Sequence, residues 1–269
     1  MSDLLSSLHN MRRMDDLARQ STWIHRLHPA AKLAVTVAYL LILTSTGRYE
    51  VVSLFPFLLY PVLVTVMADL PAAMLIRRLL LVEPLILGIG LLNPLFDRQA
   101  VLIGLWTISR GWLVFASLTL KGTLTIYAAL LLAATTRLDD LAPALRSLRV
   151  PRLLVIQLVM IWRYLDVLGM EVAKTQRAYQ LRAPKHHGIR PAAWGSLLGQ
   201  IILRTYDRAG RIDQAMRLRG FQGDFPDAGR PRWRKSDFLF IGFWLSFFII
   251  ARRLDLPAIL GSWAAGGLL

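Results

Sequence analysis

Between Val51 and Ala68 the chain runs for 18 residues without a charged side chain, about the length a helix needs to cross the hydrocarbon core of a bilayer. Comparable runs recur at Leu33–Thr46, Leu79–Phe96, Trp112–Thr136 and Phe238–Ala251. The first reaches span length when extended back through Ala30, Ala31 and a snorkelling Lys32. With 55% apolar and only 18% charged residues, the chain is too apolar for an ordinary soluble domain, and lipid is the expected solvent for much of it. The expected fold class is therefore all-α, a polytopic integral membrane protein with about five or six transmembrane helices. Glu83-Pro84 and Asn93-Pro94 interrupt the third run and predict a kink. Ala100–Ser109 is too short to cross and reads as a re-entrant or interfacial piece. Residues 1–28, with Leu4, Leu5, Leu8, Met11 and Met14 at helical spacing, read as an amphipathic helix on the membrane face or, equally, as an ordinary packed helix.

Charge divides the chain. The sequence carries 32 Lys and Arg against 17 Asp and Glu, a formal net charge of +15. Residues 137–236 alone hold 19 basic and 8 acidic side chains. The expected organisation is thus residues 1–136 with four spans, a basic region over 137–236, and a C-terminal transmembrane region over 237–269. The bias of Lys and Arg toward cytoplasmic loops places the basic region and the N-terminus on the cytosolic side after four crossings. Arg252-Arg253 then falls outside, against the bias.

Within the basic region two long amphipathic helices are predicted. One starts at Pro151, a residue favoured in a first helical turn, and ends before Pro184. The other ends at Gly220, a C-terminal stop signal. Each ends in arginine, a group that stays charged and forks onto carboxylates. Such helices suit either an acidic cleft on a protein or anionic lipid headgroups.

Three stretches carry a resemblance. They are Arg137-Leu-Asp-Asp-Leu-Ala-Pro-Ala-Leu-Arg-Ser-Leu-Arg-Val-Pro-Arg-Leu-Leu with the Trp162-Arg163-Tyr164-Leu165 that follows, Arg208-Ala-Gly-Arg-Ile-Asp-Gln-Ala-Met-Arg-Leu-Arg-Gly-Phe221, and Met14 to Leu33. Together they resemble the transmembrane T component of energy-coupling-factor transporters, and the last resembles its cobalt- and nickel-type branch, CbiQ. The resemblance implies a scaffold and coupling subunit that performs no bond chemistry. It implies two ATPase subunits (A components) as partners, which bind ATP and Mg, and a separate CbiM-like substrate-binding membrane subunit (S component). It also implies a bacterial inner-membrane location. Leu181-Arg182-Ala183 and Leu218-Arg219-Gly220 occupy the places of that family's two Ala-Arg-Gly-type motifs, whose arginines enter grooves of the ATPases. Leu stands for the first Ala in both, and Ala183 for the small Gly or Ser in the first.

Other chemistries find little support. No P-loop pattern occurs, so nucleotide hydrolysis by that route is excluded for this chain. There are no cysteines, and His186-His187, His9, His25 and His28 complete no metal-ligand set; no cofactor is expected on this chain. The basic residues interleave with apolar helix faces rather than an aromatic stacking platform, which argues against nucleic acid. A membrane enzyme acting on anionic lipid is the alternative, although no catalytic set is visible. Glu83 and Lys121 stand inside apolar runs. An intramembrane charge is a functional candidate by default, and inter-helix pairing is the structural alternative.

Overall fold

A computed structural model describes residues 17–47, 50–97, 100–103, 106–147, 149–183, 189–223 and 233–253. These form two compact units, one from residues 17–137 and 233–253, the other from residues 138–223. The predicted spans fall in the first, called here the membrane unit, and the arginine-ended helices in the second, the basic unit.

The membrane unit opens with turns over residues 20–27 that bury Ile24 and Leu27. The amphipathic helix expected over 1–28 therefore does not continue through this stretch, and Leu4, Leu5, Leu8, Met11 and Met14 lie outside the described residues. Helix α1 spans Pro29–Ser45, with Pro29 at its first position and the His28 ring accepting from the Ala30 N–H at 3.1 Å. Lys32 does not snorkel as expected. It is 5% exposed and donates to the carbonyls of Thr135 at 2.6 Å and His25 at 3.3 Å.

The second apolar run is not one regular helix. A 3-10 helix over Val52–Leu58 precedes α2, Leu59–Met67. Pro56 and Pro61 explain the irregularity, because each removes an N–H that an α-helix would use. The Phe57 carbonyl, whose α-helical donor would be residue 61, accepts the Tyr39 hydroxyl at 3.1 Å instead. Asp69, at φ 52, ends the segment in the left-handed conformation, with the Leu70 N–H returning to Thr65 and the Asp69 N–H to Val66.

Helix α3, Ala72–Gly90, runs through Pro84 without a break in its assignment, and a turn at Leu91 leads to the short α4, Leu92–Phe96. The piece that follows is a β-hairpin, the only strand pairing among the described residues. Strands β1, Ala100–Ile103, and β2, Trp106–Ser109, pair antiparallel with Ala100 opposite Ser109. β-Branched and aromatic residues in this stretch favour strand.

Helix α5, Arg110–Thr135, is the element to which α1, α2, α3 and α4 all attach. It lies antiparallel to α3, since the Gly90 backbone meets Phe115, Gly122 meets Ile86 and Glu83 meets Thr123. Helix α9, Lys235–Arg253, packs on α1 and the 3-10 helix. Between them Tyr39, Phe57, Tyr60, Trp244 and Phe248 form a cluster with ring centroids from 4.8 to 6.3 Å apart. Lipid tails are as apolar as these side chains, so close packing and hydrogen bonds rather than water exclusion hold such a bundle together. Aromatic contacts contribute about 0.5–1.5 kcal/mol per pair beyond area burial.

The polar contacts set which helix ends meet. The start of α1 meets the end of α5 through Lys32 and the start of α9 through His28, whose N–H donates to Asp237 at 2.9 Å. The end of α1 meets Lys121, which donates to Thr46 and Gly47 carbonyls at 2.7 and 3.1 Å, and Arg252, which donates to the Ser45 carbonyl and to Glu50. Arg252 and Lys121 thus satisfy carbonyls that the end of α1 leaves open. Arg252 is thus paired rather than a free loop charge.

The basic unit contains α6, Leu138–Ser147, α7, Arg152–Arg182, and α8, Pro191–Leu218. Helix α6 packs on α7 and ends in a Schellman turn, with the Val150 N–H on Leu145 O and the Arg149 N–H on Arg146 O. Arg149 takes the left-handed position there at φ 62. Helix α7 matches the helix expected from Pro151 to the residue before Pro184, and its first half is apolar. Among the described residues three helical segments are long and apolar enough to cross a membrane: Ala72–Phe96, Arg110–Thr135 and Arg152–Arg182. The first half of α7 qualifies because Arg163 and Asp166 are its main interruptions through Met170.

Candidate functional site

Both predicted arginine motifs lie at helix C-termini, and the local backbone shows why. Helix α8 ends at Leu218, Arg219 takes the cap position, and Gly220 turns left-handed at φ +80. The Phe221 N–H then bonds Met216 O at 3.0 Å and the Gly220 N–H bonds Arg217 O at 2.9 Å, a complete Schellman motif. Gly220 is there because the turn needs a residue without a Cβ penalty. At the first motif the geometry differs. Ala183 caps α7 at φ −128 and ψ 61, with its N–H on Tyr179 O at 3.0 Å. That conformation is open to alanine, so the departure from glycine carries no backbone cost.

The tips are presented to solvent in this unit. Leu181 is 78% and Leu218 88% exposed, and Arg182, Arg219 and Gly220 are exposed as well, while Ala183 is half-buried. A singly exposed leucine is ordinary on a protein surface, so it is the arginine beside it that marks each tip. Arg182 and Arg217 also sit in last turns, where the helix dipole favours a cation.

The two tips are not one site. The Arg190 N–H reaches the Tyr179 hydroxyl at 3.4 Å, and Arg204 pairs with Glu171 at 2.9 Å. These contacts make α7 and α8 antiparallel, with the Arg204–Glu171 pair between the tips. Arg182 lies 11 residues beyond that pair in one direction and Arg219 lies 15 in the other, which separates them by roughly 35–40 Å along the helices at 1.5 Å per residue. Arg204 bonding to Glu171 holds that carboxylate ionised, and Arg217 pairs with Asp213 one turn earlier at 2.9 Å, leaving Arg219 as the outermost cation of α8.

The intramembrane candidates are structural. Lys121 caps α1 as described above. Glu83 accepts from the Thr123 hydroxyl at 2.8 Å across the α3–α5 seam, and its second oxygen is buried without a partner. The polar partner anticipated beside Pro84 is therefore Thr123. Among the described residues no group of three or more His, Asp or Glu is placed to hold a metal ion. His186 and His187 lie outside the described residues, and His25 is engaged with the Thr22 hydroxyl at 2.7 Å. Burial and the neighbouring Lys32 ammonium hold the His25 pKa below its ordinary value.

Sequence reasoning missed a polar cluster at the start of α1. Asp237, only 1% exposed, accepts from the His28 N–H and from the Arg234 N–H at 2.6 Å. The His28 ring stacks on Trp233 with centroids 4.1 Å apart and planes 10° from parallel. The usable signal was Asp237 three residues after Arg234, the spacing of a capping box. Its long-range half was not readable.

Comparison with known proteins bears on these features together. Residues 20–229 match the CbiQ family, described as cobalt transport protein. The chain is also 33% identical over 138 residues to the nickel permease LarQ of Lactiplantibacillus plantarum, covering 50% of this chain and 49% of that protein. The chain thus aligns with about half the length of this curated relative.

Proposed function

The chain belongs to the CbiQ family of cobalt transport proteins, and from that premise we propose that it is the transmembrane coupling subunit of an ATP-driven energy-coupling-factor transporter for cobalt or nickel. The observation that carries the reading is the pair of exposed arginine tips at opposite ends of an antiparallel helix pair. One ATPase subunit grips Arg182 and a second grips Arg219, each through carboxylates that accept the guanidinium fork. ATP and Mg are bound and hydrolysed by those subunits. A separate CbiM-like membrane subunit holds the ion. The family description names cobalt and the relative's name gives nickel, so the substrate class is a divalent transition-metal ion.

The cycle follows from geometry. When two ATPase subunits close on ATP, the distance between their grooves changes, and helices pinned at both tips must tilt or slide to follow. The Arg204–Glu171 pair lets α7 and α8 move as one piece. The apolar first half of α7 lies against the membrane or the substrate-binding subunit, while the polar second half reaches the ATPase. In this reading residues 137–236 and the N-terminus face the cytosol of a bacterial cell, with the membrane unit in the inner membrane.

Charge reversal tests the docking. Arg182→Glu and Arg219→Glu should each reduce co-purification of the ATPase subunits by roughly tenfold or more, because an acidic groove would then face an acid. Arg211→Glu, an equal charge change at an exposed position within α8, should do little. Full ATPase recovery with both tip variants would sink the arginine-docking reading.

A further inference from the structure

The chain leaves the membrane unit after Arg137 and re-enters it at Pro231. Both passages are held by one short segment, His25–Lys32. On the outgoing side, the Lys32 ammonium donates to the Thr135 carbonyl, two residues before the exit, and to the His25 carbonyl. On the returning side, Asp237 divides its carboxylate. One oxygen accepts the Arg234 N–H and starts α9, and the other accepts the His28 N–H at the cap of α1. Trp233, two residues past the re-entry, stacks on the His28 ring.

The chemistry of these contacts makes them stiff. Lys32 and Asp237 are both almost wholly buried, and a buried charge that loses its hydrogen bonds has no water to replace them. The bonds from Lys32 to the Thr135 and His25 carbonyls and from the His28 and Arg234 N–H groups to Asp237 all involve backbone, so these contacts fix main-chain positions. Lys32 lies on the first turn of α1, Thr135 on the last turn of α5 and Asp237 on the first turn of α9. Three helices are therefore joined at one point, beside both passages.

We infer that His28, Lys32 and Asp237 are positioning residues for transport. They form a clamp through which displacement of residues 138–230 moves α1, α5 and α9 as one body. The inference rests on the coupling reading above. Without the clamp, motion of the basic unit would be spent in bending the two connecting segments, and ATP would be hydrolysed without moving the ion. A local device of this kind needs no bound ligand. It requires that the first turns of α1 and α9 and the last turn of α5 resist separation.

The test uses the complete complex, with its ATPase and substrate-binding subunits, in vesicles where ATP-driven cobalt uptake and ATP hydrolysis are read together. Lys32→Met and Asp237→Asn should lower the ions moved per ATP by about fivefold, with ATPase co-purification and hydrolysis kept within about twofold of wild type. Lys32→Arg, which keeps the charge and the donors, should restore the ratio. Trp233→Ala removes the stacking without exposing a buried charge, and its ratio decides the matter if the charge variants do not fold. An unchanged ratio overturns the clamp, whether both rates fall together or neither moves. Failure of the wild-type chain to co-purify with ATPase subunits would overturn the coupling reading as well, which separates the two failures.

Discussion

The two units use the same residue types for opposite ends. In the membrane unit a Cβ placed at Gly90 would meet the Phe115 ring at 2.9 Å, at Gly122 it would meet Ile86 at 2.9 Å, and at Gly111 it would meet the backbone of Pro94 at 2.5 Å. Small residues there let helices approach closely, which is how helices without a hydrophobic driving force associate in lipid. In the basic unit, Gly195, Gly199 and Gly210 of α8 have nothing within 4 Å of that position. Helix α8 buries no residue at all, and α7 buries only Val155 and Thr175. Charges follow the same division. Lys32 and Asp237 are buried and bonded to backbone, whereas Arg217 and Asp213 pair in water, where such pairs contribute about 0–1 kcal/mol. One unit is packed against itself, and the other leaves most of its helix faces exposed.

Gly111 offers the strongest means of breaking that contrast. Its would-be Cβ meets Pro94 Cα at 2.5 Å and the carbonyl oxygens of Asn93 and Asp97 at 2.7 Å. These are backbone atoms that cannot rotate away. Gly111→Ala should destabilise the chain by about 3 kcal/mol, the upper part of the range for overpacking. The readout is the midpoint of thermal unfolding in detergent, which should fall clearly. An unchanged midpoint would show that α4 yields to α5 and that the membrane unit is looser than its contacts imply.

How much of this was readable in the sequence depended on the range of the interaction. The arginine tips are local. Pro151, Pro184 and Gly220 bracket the helices through φ restriction and left-handed capping, so both helix ends are legible without knowing the rest of the fold. The spans are legible as apolar runs, although the 3-10 turn at Pro56 was not, since it follows from two prolines acting on a segment read only for length. Lys32 was misread because its acceptor is the Thr135 carbonyl, 103 residues away. Periodicity and composition carry no information about such a partner, and snorkelling is the default for a lysine near a span end. The bond between Asp237 and the His28 N–H, 209 residues apart, was hidden for the same reason. Helix α7 was legible from Pro151 to the residue before Pro184, whereas its first half was not read as long and apolar enough to cross a membrane, because Arg163 and Asp166 lie within it.

A smaller effect is expected at the second arginine tip, where no packing opposes substitution. Gly220 has open space around its Cβ position and is held only by its φ of +80. Gly220→Ala should therefore cost about 1 kcal/mol, the penalty for an L-residue in the left-handed region, with the loss confined to the last turn of α8. Amide hydrogen exchange at Phe221 and Gly220, whose N–H groups close the Schellman motif, should speed up, while exchange in the membrane unit stays as it was. Faster exchange in both units would mean that the tip is coupled to the bundle even without a partner.

The smallest effect has the opposite sign. Gly199 stands inside α8, where glycine is less favourable than alanine by about 0.8–1.0 kcal/mol through backbone entropy alone. With nothing within 4 Å to clash, Gly199→Ala should raise the thermal midpoint of the isolated chain, the reverse of Gly111→Ala at a residue of the same type. The same reasoning extends to Gly195, also without a neighbour, but not to Gly90 or Gly122, whose neighbours would have to move. Destabilisation by Gly199→Ala would show that this face of α8 is filled in the isolated chain, and the division into a self-packed unit and an open one would fail at the helix on which it is drawn most sharply.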